Sequence, residues 1–355
     1  MKYKVTIAMP VYNVEKYVKR ALLSAFNQTF ESIEYLIVDD KGNDNSIDIV
    51  KELIATHPRG KDVRIIDHIV NQGTGATKNS AINEAKSEYL FFMDSDDEIT
   101  PDCIELLYSK MKEKEVDLVV GSYQIKSTSK IEKMTCNQVE LLGDLKLFNY
   151  IERKGYFPLA TWNKLYSLQF IKSNNITCIP NHLNEDAWFS FQVMLKAKSC
   201  CFIENTTYTY YVIPNSATDF LSFTETKRKR ITNQYLEIDN LKKTYSQNYK
   251  ASSIYPVLIC AIMRESYRYA YEISCMNPLT EKKKHIKKLF YRYNNEEIRT
   301  AIKSFLSYPA DNKALLMMKN KQSLNIVFCI FSHFPYFLQV AIIIFNRIIN
   351  LRTVK

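Results

Sequence analysis

Glycine is scarce in this 355-residue chain, with 7 residues, and no internal repeat or low-complexity tract is present. A collagenous or repetitive turn-rich protein is therefore excluded. The eight cysteines form no Cys-x-x-Cys pair and lack zinc-finger spacing, and the five histidines do not cluster. This pattern argues against a Cys/His metal centre and favours reduced thiols in a cytosolic protein. We expect no signal peptide, because residues 1–4 lead directly into an apolar strand pattern.

The composition is that of a globular chain with an excess of positive charge. Hydrophobic residues make up 46% and charged residues 24% of the chain, and its length allows two domains. Lysine and arginine outnumber aspartate and glutamate by 48 to 38, which gives a formal net charge of +10. This excess predicts an anionic partner: a phosphate ligand, a membrane surface or a nucleic acid. The basic runs at 227–230 and 282–284 equally fit solvated helix faces.

Strand and helix patterns alternate through the first third of the chain. Thr100, Pro101 and Asp102 resemble the N-cap and first two positions of a helix. The alternation predicts an α/β fold with a doubly wound, mostly parallel sheet. Beyond about residue 122 the pattern weakens, and from about residue 220 the sequence is mostly helical. Apolar strand patterns cover 5–9, 34–38, 63–66, 89–93 and 118–121, and helical patterns cover 15–28, 46–56 and 74–85.

Acidic residues follow two of the predicted strands. Asp39 and Asp40 end the second strand, and Asp94, Asp96 and Asp97 follow the fourth. Burying several carboxylates together is costly unless a positive charge compensates them. Mg²⁺ and Mn²⁺ prefer clustered carboxylate oxygens, so the pattern predicts a divalent cation at this strand end. The alternative is an acidic loop that leads into a helix.

Two further clusters lie at the same edge of the predicted sheet. Tyr12 follows the first strand and could stack on a flat base. The segment 71–79 offers a glycine-containing turn and a cation, Lys78, that could face a diphosphate. The carboxyl ends of parallel strands converge on one crevice, where ligands bind in open α/β sheets. Their convergence predicts a site for a nucleotide and a metal ion.

Residues 326–345 contain no formally charged side chain. The stretch is close to the roughly 20 residues that a membrane-spanning helix needs. His333, Pro335 and Gln339 interrupt it, and positive charge on both sides sets no orientation for a span. We therefore expect the segment 324–349 to associate with a membrane surface. A buried core helix is the alternative.

These motifs together resemble the family 2 glycosyltransferases, which are inverting, metal-dependent enzymes with the GT-A fold. The resemblance implies a GT-A domain over 1–220, with a nucleotide-sugar-binding half (1–122) and an acceptor-binding half (123–220). A helical C-terminal region would follow over 221–355. The resemblance rests on Val5–Asn13, Gln28–Phe30, Val38–Asp40 and the acidic cluster at 94–97, and more weakly on Thr161–Tyr166, Asn184–Asp186 and Tyr210–Tyr211.

The resemblance implies roles for residues at the strand ends. Tyr12, next to Pro10, would lie against the uracil of a UDP-sugar. Asp40, with Asp39 as its neighbour, would bind the base. Lys78 stands where many relatives carry arginine, and it would contact the diphosphate without the bidentate geometry of a guanidinium.

The resemblance also implies roles for the acidic cluster. Asp94, with Ser95, would contact the ribose or the sugar. Asp96 would bind the metal ion, Mn²⁺ or Mg²⁺, and Asp97 is the rival ligand, because the spacing alone does not decide between them.

The pair Glu185-Asp186 matches the acidic pair of the family near the acceptor. An inverting transfer needs a carboxylate that takes the proton of the acceptor hydroxyl. We prefer Asp186 as this base, with Glu185 as a positioning group. The alternative is an acidic helix start that the helix dipole stabilises.

The resemblance therefore implies an inverting hexosyl- or N-acetylhexosaminyltransferase with a nucleotide-sugar donor, expected to be a UDP-sugar. We expect a saccharide acceptor that is lipid-linked, in capsule, O-antigen or exopolysaccharide synthesis, and no nucleic acid partner. The protein would be cytoplasmic and peripheral on the inner face of the membrane. The alternative is a noncatalytic sugar-nucleotide-binding or scaffold protein of a membrane-bound polysaccharide assembly.

Overall fold

The computed structural model describes residues 2–153, 158–213, 224–276, 279–290 and 293–306. The described residues fall into two compact units, one drawn from 1–148 and 158–216 and the other from 149–157 and 217–355. Within these ranges, no helix combines the length and apolar character needed to cross a bilayer. The predicted membrane-associating segment 324–349 lies outside the described residues.

The described part of the first unit contains a ten-stranded sheet with the order β3-β2-β1-β4-β9-β6-β10-β5, in which β7 also pairs with β6 and β8 with β10. The strands are β1 (Val5–Val11), β2 (Ile33–Asp39), β3 (Val63–Asp67), β4 (Tyr89–Phe92), β5 (Glu98–Ile99), β6 (Leu118–Lys126), β7 (Ile131–Met134), β8 (Val139–Leu142), β9 (Lys164–Ser167) and β10 (Ser199–Tyr211).

The first four strands of the α/β pattern form the predicted parallel block. β1 pairs in parallel with β2 and β4, and β2 pairs in parallel with β3. All seven residues of β2 are buried, which is typical of a strand covered on both faces of its sheet. The predicted α/β sheet with a parallel block is confirmed, although the described sheet as a whole is mixed, with four parallel and five antiparallel pairings.

The fifth predicted strand does not lie next to the fourth. β9 is inserted between β4 and β6 and runs antiparallel to both. β6 then pairs in parallel with β10, the longest strand of the described sheet. This insertion brings 164–167, from a part of the chain without clear periodicity, into the centre of the sheet.

The helices of the first unit are α1 (Val18–Phe26), α2 (Ser46–Thr56), α3 (Thr74–Glu84), α4 (Cys103–Lys114), α6 (Leu168–Ser173) and α7 (Glu185–Lys196), and the unit boundary falls within α5 (Lys146–Arg153). Helix α4 begins at Cys103, two residues later than the predicted first helical residue Pro101. In α1 the buried residues recur at the spacing of one helix face, which packs on the sheet. They are Val18, Ala21, Leu22, Ala25 and Phe26.

The described part of the second unit is helical, as predicted for the C-terminal region. It contains α8 (Glu225–Ser246), α9 (Tyr255–Met276), α10 (Leu279–Phe290) and α11 (Asn295–Leu306). Tyr235 of α8 and Tyr269 of α9 stack with ring centroids 4.6 Å apart. The buried Lys242 ammonium donates to Glu265 over 2.6 Å, so this helix pair also shares a buried ion pair.

Candidate active site

The ends of β1 and β2 bring the first two predicted clusters together. Val11 lies opposite Asp39 in the parallel register, and the backbone N–H of Asp40 donates to the Val11 carbonyl over 3.0 Å. Tyr12, the next residue after β1, is 45% exposed although it is a large aromatic residue. Pro10 lies within β1, partly exposed and opposite Val38. An exposed aromatic side chain and two acidic residues therefore share one edge of the sheet.

Asp40 is buried and holds the loop between β3 and α3. Its Oδ1 accepts hydrogen bonds from His68 Nδ1 (2.8 Å) and from the backbone N–H of Gln72 (2.8 Å). Its Oδ2 accepts from Asn71 Nδ2 (2.9 Å) and from the backbone N–H of Gly73 (2.8 Å). A carboxylate has about four acceptor positions, so these donors saturate it. The backbone N–H groups of Gln72 and Gly73, just before α3, are therefore already occupied.

Asp39 is less committed than its neighbour. Its carboxylate accepts from the backbone N–H of Lys41 over 3.0 Å and from the Lys41 ammonium over 3.3 Å. Lys41 also forms an ion pair with the exposed Asp67 at the end of β3. Two donors from one residue leave acceptor positions on Asp39, whereas the four donors on Asp40 leave none.

The acidic turn after β4 gathers three carboxylates. Asp94, Asp96 and Asp97 each offer an oxygen, and these oxygens lie within 4.8 Å of one another. The backbone N–H of Asp97 donates to the Asp94 carbonyl over 3.3 Å, and Ser95 is buried within this turn. Asp97 is completely buried, whereas Asp94 and Asp96 are partly exposed.

Strand β10 fixes the buried end of this turn. Tyr208 donates its hydroxyl to Asp97 Oδ2 over 2.8 Å and accepts the backbone N–H of Asp94 over 3.2 Å. The backbone N–H of Tyr211 donates to Asp97 Oδ1 over 2.8 Å. From α1, Arg20 donates to the Asp96 carbonyl, and its guanidinium lies 3.7 Å above the Tyr211 ring. The sequence patterns gave no role to Arg20 or Tyr208, because only the fold brings them to the turn.

The electrostatics of the turn fit a cation. Burial, together with the charge of Asp96, raises the pKa of Asp94 to about 7 against the opposing effect of Lys78. Burial and the charges of Asp94 and Asp96 raise the pKa of Asp97 to about 9. Carboxylates that repel one another in a buried place are stabilised as anions when a cation joins them. An all-oxygen donor set suits Mg²⁺ or Mn²⁺.

Lys78 lies against the acidic pair at the start of α7. Its ammonium is 3.3 Å from Glu185 Oε1 and hydrogen-bonded to Asp186 Oδ1. The Lys78 side chain is 1% exposed, Glu185 is 10% exposed and Asp186 is 26% exposed. The residue predicted for the diphosphate and the pair predicted for the acceptor thus belong to one ion cluster.

Close packing of α3 brings Lys78 to this place. A Cβ at Gly75 would lie 2.1 Å from the Ile179 carbonyl oxygen, so only glycine allows this approach. Asn79 donates to the Cys178 carbonyl over 2.9 Å and accepts the Cys178 backbone N–H over 2.8 Å. Gly75 and Asn79, which flank Lys78 in the sequence, thus hold α3 against the segment that precedes α7.

The acidic pair and the acidic turn interact electrostatically. Burial raises the pKa of Glu185 to about 8, together with the charge of Asp186 and against the opposing effect of Lys78. Burial alone would lower the pKa of Lys78, but Asp186, Glu185 and Asp94 raise it well above its ordinary value. The charge of Asp186 also raises the pKa of Asp94. The two acidic groups therefore belong to one electrostatic site.

Both tryptophans pack inside the protein. Trp162 stacks on Tyr208 with ring centroids 4.5 Å apart and planes at 5°. Trp188 stacks on Phe191 with centroids 5.8 Å apart. Because Trp162 supports the tyrosine that holds Asp97, its packing bears on the geometry of the acidic turn.

Comparison with known proteins places this site in a family. The family described as Glycosyl transferase family 2 matches residues 6–171. An uncharacterized glycosyltransferase of Haemophilus influenzae is 31% identical over 194 residues, which cover 55% of this chain and 73% of that protein. The chain belongs to glycosyl transferase family 2. The match to the putative glycosyltransferase EpsH of Bacillus subtilis is 32% identical over 213 residues and covers 59% of this chain and 60% of EpsH.

A solved structure shows the same fold as this family 2 chain. The crystal structure of residues 1–349 of S. aureus TarS in complex with UDP-GlcNAc matches with a TM-score of 0.54 and 18% identity. The match covers 85% of this chain and 91% of that one. The predicted GT-A fold is confirmed. The chain spans 30% and 32% of the length of two longer curated relatives.

Proposed function

We propose that this chain is an inverting glycosyltransferase that moves a hexosyl or N-acetylhexosaminyl group from a UDP-sugar to a hydroxyl of a saccharide. The observation that carries the proposal is the acidic turn, whose three carboxylates offer oxygens within 4.8 Å of one another, together with the Glu185-Asp186 pair that contacts Lys78. In one displacement at the anomeric carbon, the bond to the diphosphate oxygen breaks and the bond to the acceptor oxygen forms. The metal-binding group would act on the leaving diphosphate, and the proton acceptor on the attacking hydroxyl. Their common site at the carboxyl edge of a parallel sheet suits a nucleotide-sugar donor.

The metal ion, Mn²⁺ or Mg²⁺, would be held by the turn at 94–97. Asp96 is the better main ligand, because it is partly exposed, whereas both oxygens of Asp97 already accept hydrogen bonds from β10. Asp94, with Ser95, would contact the ribose or the sugar. When bound, the metal would neutralise the departing diphosphate as a Lewis acid.

The nucleoside would bind at the ends of β1 and β2. The exposed ring of Tyr12 offers a surface for stacking on uracil, next to Pro10. Asp39 would accept a hydrogen bond from the base, since the Asp40 carboxylate is saturated by the loop at 68–73. Asp40 would then support the base site from behind. The UDP-GlcNAc complex of TarS supports a UDP-sugar as the donor.

Asp186 would take the proton of the acceptor hydroxyl as that oxygen attacks the anomeric carbon. Of the acidic pair, Asp186 is the more exposed member, and Glu185 is nearly buried. A single base without a second nucleophile implies one displacement, which inverts the anomeric configuration. Glu185 would position Asp186 or the acceptor sugar.

The acceptor would be a lipid-linked saccharide of bacterial polysaccharide synthesis, reached from the cytoplasmic face of the membrane. The net charge of +10 supports an anionic surface as a partner. Helix α10 adds a basic face, because Lys284, Lys287 and Lys288 are exposed while Ile286 and Leu289 are buried. Attraction of this kind is worth about 1 kcal/mol per basic residue near an anionic lipid surface.

A panel of UDP-sugars tests the proposal. We expect one UDP-sugar to raise the melting temperature in the presence of Mn²⁺ and to release UDP when a saccharide acceptor is added. Asp96→Asn should lose UDP release and keep its fold, whereas the matched surface variant Asp144→Asn should behave like the wild type. Binding of a UDP-sugar without UDP release from any acceptor would favour a noncatalytic scaffold. Full activity of Asp96→Asn in EDTA would contradict the metal site.

A further inference from the structure

Lys78 forms ion pairs with both carboxylates of the acidic pair. No other lysine or arginine in the described ranges does so. Lys78 lies in the second turn of α3, and its side chain is 1% exposed. The ammonium therefore has little water around it and depends on Glu185 and Asp186 for its stabilisation. Moving it away would leave two carboxylates without their cation in a buried place.

The residues that directly precede α3 also have partners within the protein. The backbone N–H groups of Gln72 and Gly73 donate to Asp40. A helix start with free N–H groups and a nearby lysine is a good phosphate site. Here these two N–H groups and the Lys78 ammonium already have carboxylate partners supplied by the chain itself.

The position of Lys78 is set by neighbours that do not depend on a ligand. Gly75 allows α3 to approach the Ile179 carbonyl, and Asn79 forms two hydrogen bonds with the Cys178 backbone. Lys78 lies between these two contacts in the sequence. The Lys78 side chain therefore extends to the start of α7, where the acidic pair lies.

We infer that Lys78 is a positioning residue that orients Glu185 and Asp186 and balances their charge, and is not a ligand of the donor diphosphate. This inference rests on the proposed function, because it assigns how the proton acceptor of the transfer is held. Lys78 keeps the Asp186 carboxylate in one place through the hydrogen bond to Asp186 Oδ1, and its positive charge offsets the negative charge of the pair. The diphosphate charge would then be met by the metal ion and not by Lys78.

Other charged and titratable groups surround the acidic pair. Asp94 faces it from the acidic turn, Lys164 and Tyr166 from β9, and Cys178 from the segment before α7. Lys164 is buried, and its ammonium donates a hydrogen bond to the backbone carbonyl of Ala160 over 2.6 Å. Loss of Lys78 would remove the cation that contacts the pair directly.

Isothermal titration with UDP and Mn²⁺ separates the two roles of Lys78. For Lys78→Met we expect a UDP dissociation constant within about 3-fold of the wild type, because the change removes no hydrogen bond to the ligand. The surface variant Lys114→Met is the matched control. A loss of UDP affinity of about 10–100-fold, the value of one charged hydrogen bond, would show a diphosphate ligand and overturn the inference.

Turnover against pH gives the second readout. For Lys78→Met we expect kcat at neutral pH to fall by about 10²–10⁴-fold, as for a lost general base. The acidic limb of its profile should move to higher pH, because Lys78 opposes the rise in the pKa of Glu185 and its loss removes that effect. Lys78→Arg keeps the charge and should retain the wild-type limb. An acidic limb that does not move in Lys78→Met would overturn the inference.

A measurement without substrate keeps the inference distinct from the proposed function. Carbon-13 NMR of labelled carboxyl groups, assigned with Glu185→Gln and Asp186→Asn, should show the titration of Glu185 at higher pH in Lys78→Met. This shift is expected even if the wild type binds no UDP, in which case only the proposed function fails. If Lys78→Met does not fold, Lys78→Met/Glu185→Gln removes one charge of each sign. The UDP dissociation constant of that double variant is then judged by the same limits as for Lys78→Met, and it decides whether Lys78 is a diphosphate ligand.

Discussion

The Tyr208 hydroxyl donates to the buried carboxylate of Asp97 over 2.8 Å, and this hydrogen bond ties the acidic turn to strand β10. The two residues are 111 positions apart in the sequence. The carboxylates that would hold the metal ion are thus oriented by a strand that lies far from them in the sequence. The precision of the site depends on the pairing of β10 with β5 and β6.

Tyr208→Phe should weaken both the fold and metal binding. The change leaves a buried Asp97 oxygen with one hydrogen bond fewer, which costs about 1–3 kcal/mol of unfolding free energy. Urea unfolding and the Mn²⁺ dependence of UDP binding measure the two effects. Tyr210→Phe, two residues along the same strand, is the control and should leave both near wild type. Equal behaviour of the two variants would contradict the role of the Tyr208 hydroxyl.

Asp40→Asn should mainly lower stability, whereas Asp39→Asn should mainly weaken UDP binding. Asp40→Asn turns an acceptor of four hydrogen bonds into a group that also donates, so we expect a loss of about 2–4 kcal/mol in unfolding free energy. Asp39→Asn should change stability by less and weaken UDP binding more. Urea unfolding and UDP titration of both variants check this. Weaker UDP binding by Asp40→Asn at unchanged stability would indicate that Asp40, and not Asp39, contacts the base.

The elevated pKa of Glu185 predicts how stability depends on pH. Its pKa rises from an ordinary 4.5 to about 8 in the folded protein, so the folded state binds the proton more tightly than the unfolded state does. Stability therefore falls as pH rises from about 4.5 to about 8. Glu185→Gln cannot ionise and should show a smaller fall over this range. Urea midpoints of both proteins at pH 5 and 8 measure it, and identical slopes would contradict the elevated pKa.

Local patterns predicted the parallel half of the fold and the residues at its edge. Strands β1 to β4 are mostly apolar, so their ends could be located, and the parallel register then places Tyr12, Asp39 and Asp40 together. The Glu185-Asp186 start of α7 was also visible, since acidic residues in a first helical turn follow from the helix dipole.

Long-range pairing could not be predicted from the same patterns. β9 inserts between β4 and β6, and β10 reaches β5 through antiparallel pairing. Periodicity describes one segment at a time and carries no information on its partner strand. Tyr208 and Arg20 were missed for this reason, as was the contact of Lys78 with the acidic pair.

The anomeric configuration of the product tests the central claim most directly. With an α-linked UDP-sugar as the donor, a single displacement assisted by Asp186 predicts a β-linked product in proton NMR of the purified saccharide. Asp186→Asn should form this product far more slowly, by about 10²–10⁴-fold, because removal of a general base has this cost. An α-linked product from the wild-type protein would contradict the single-displacement account.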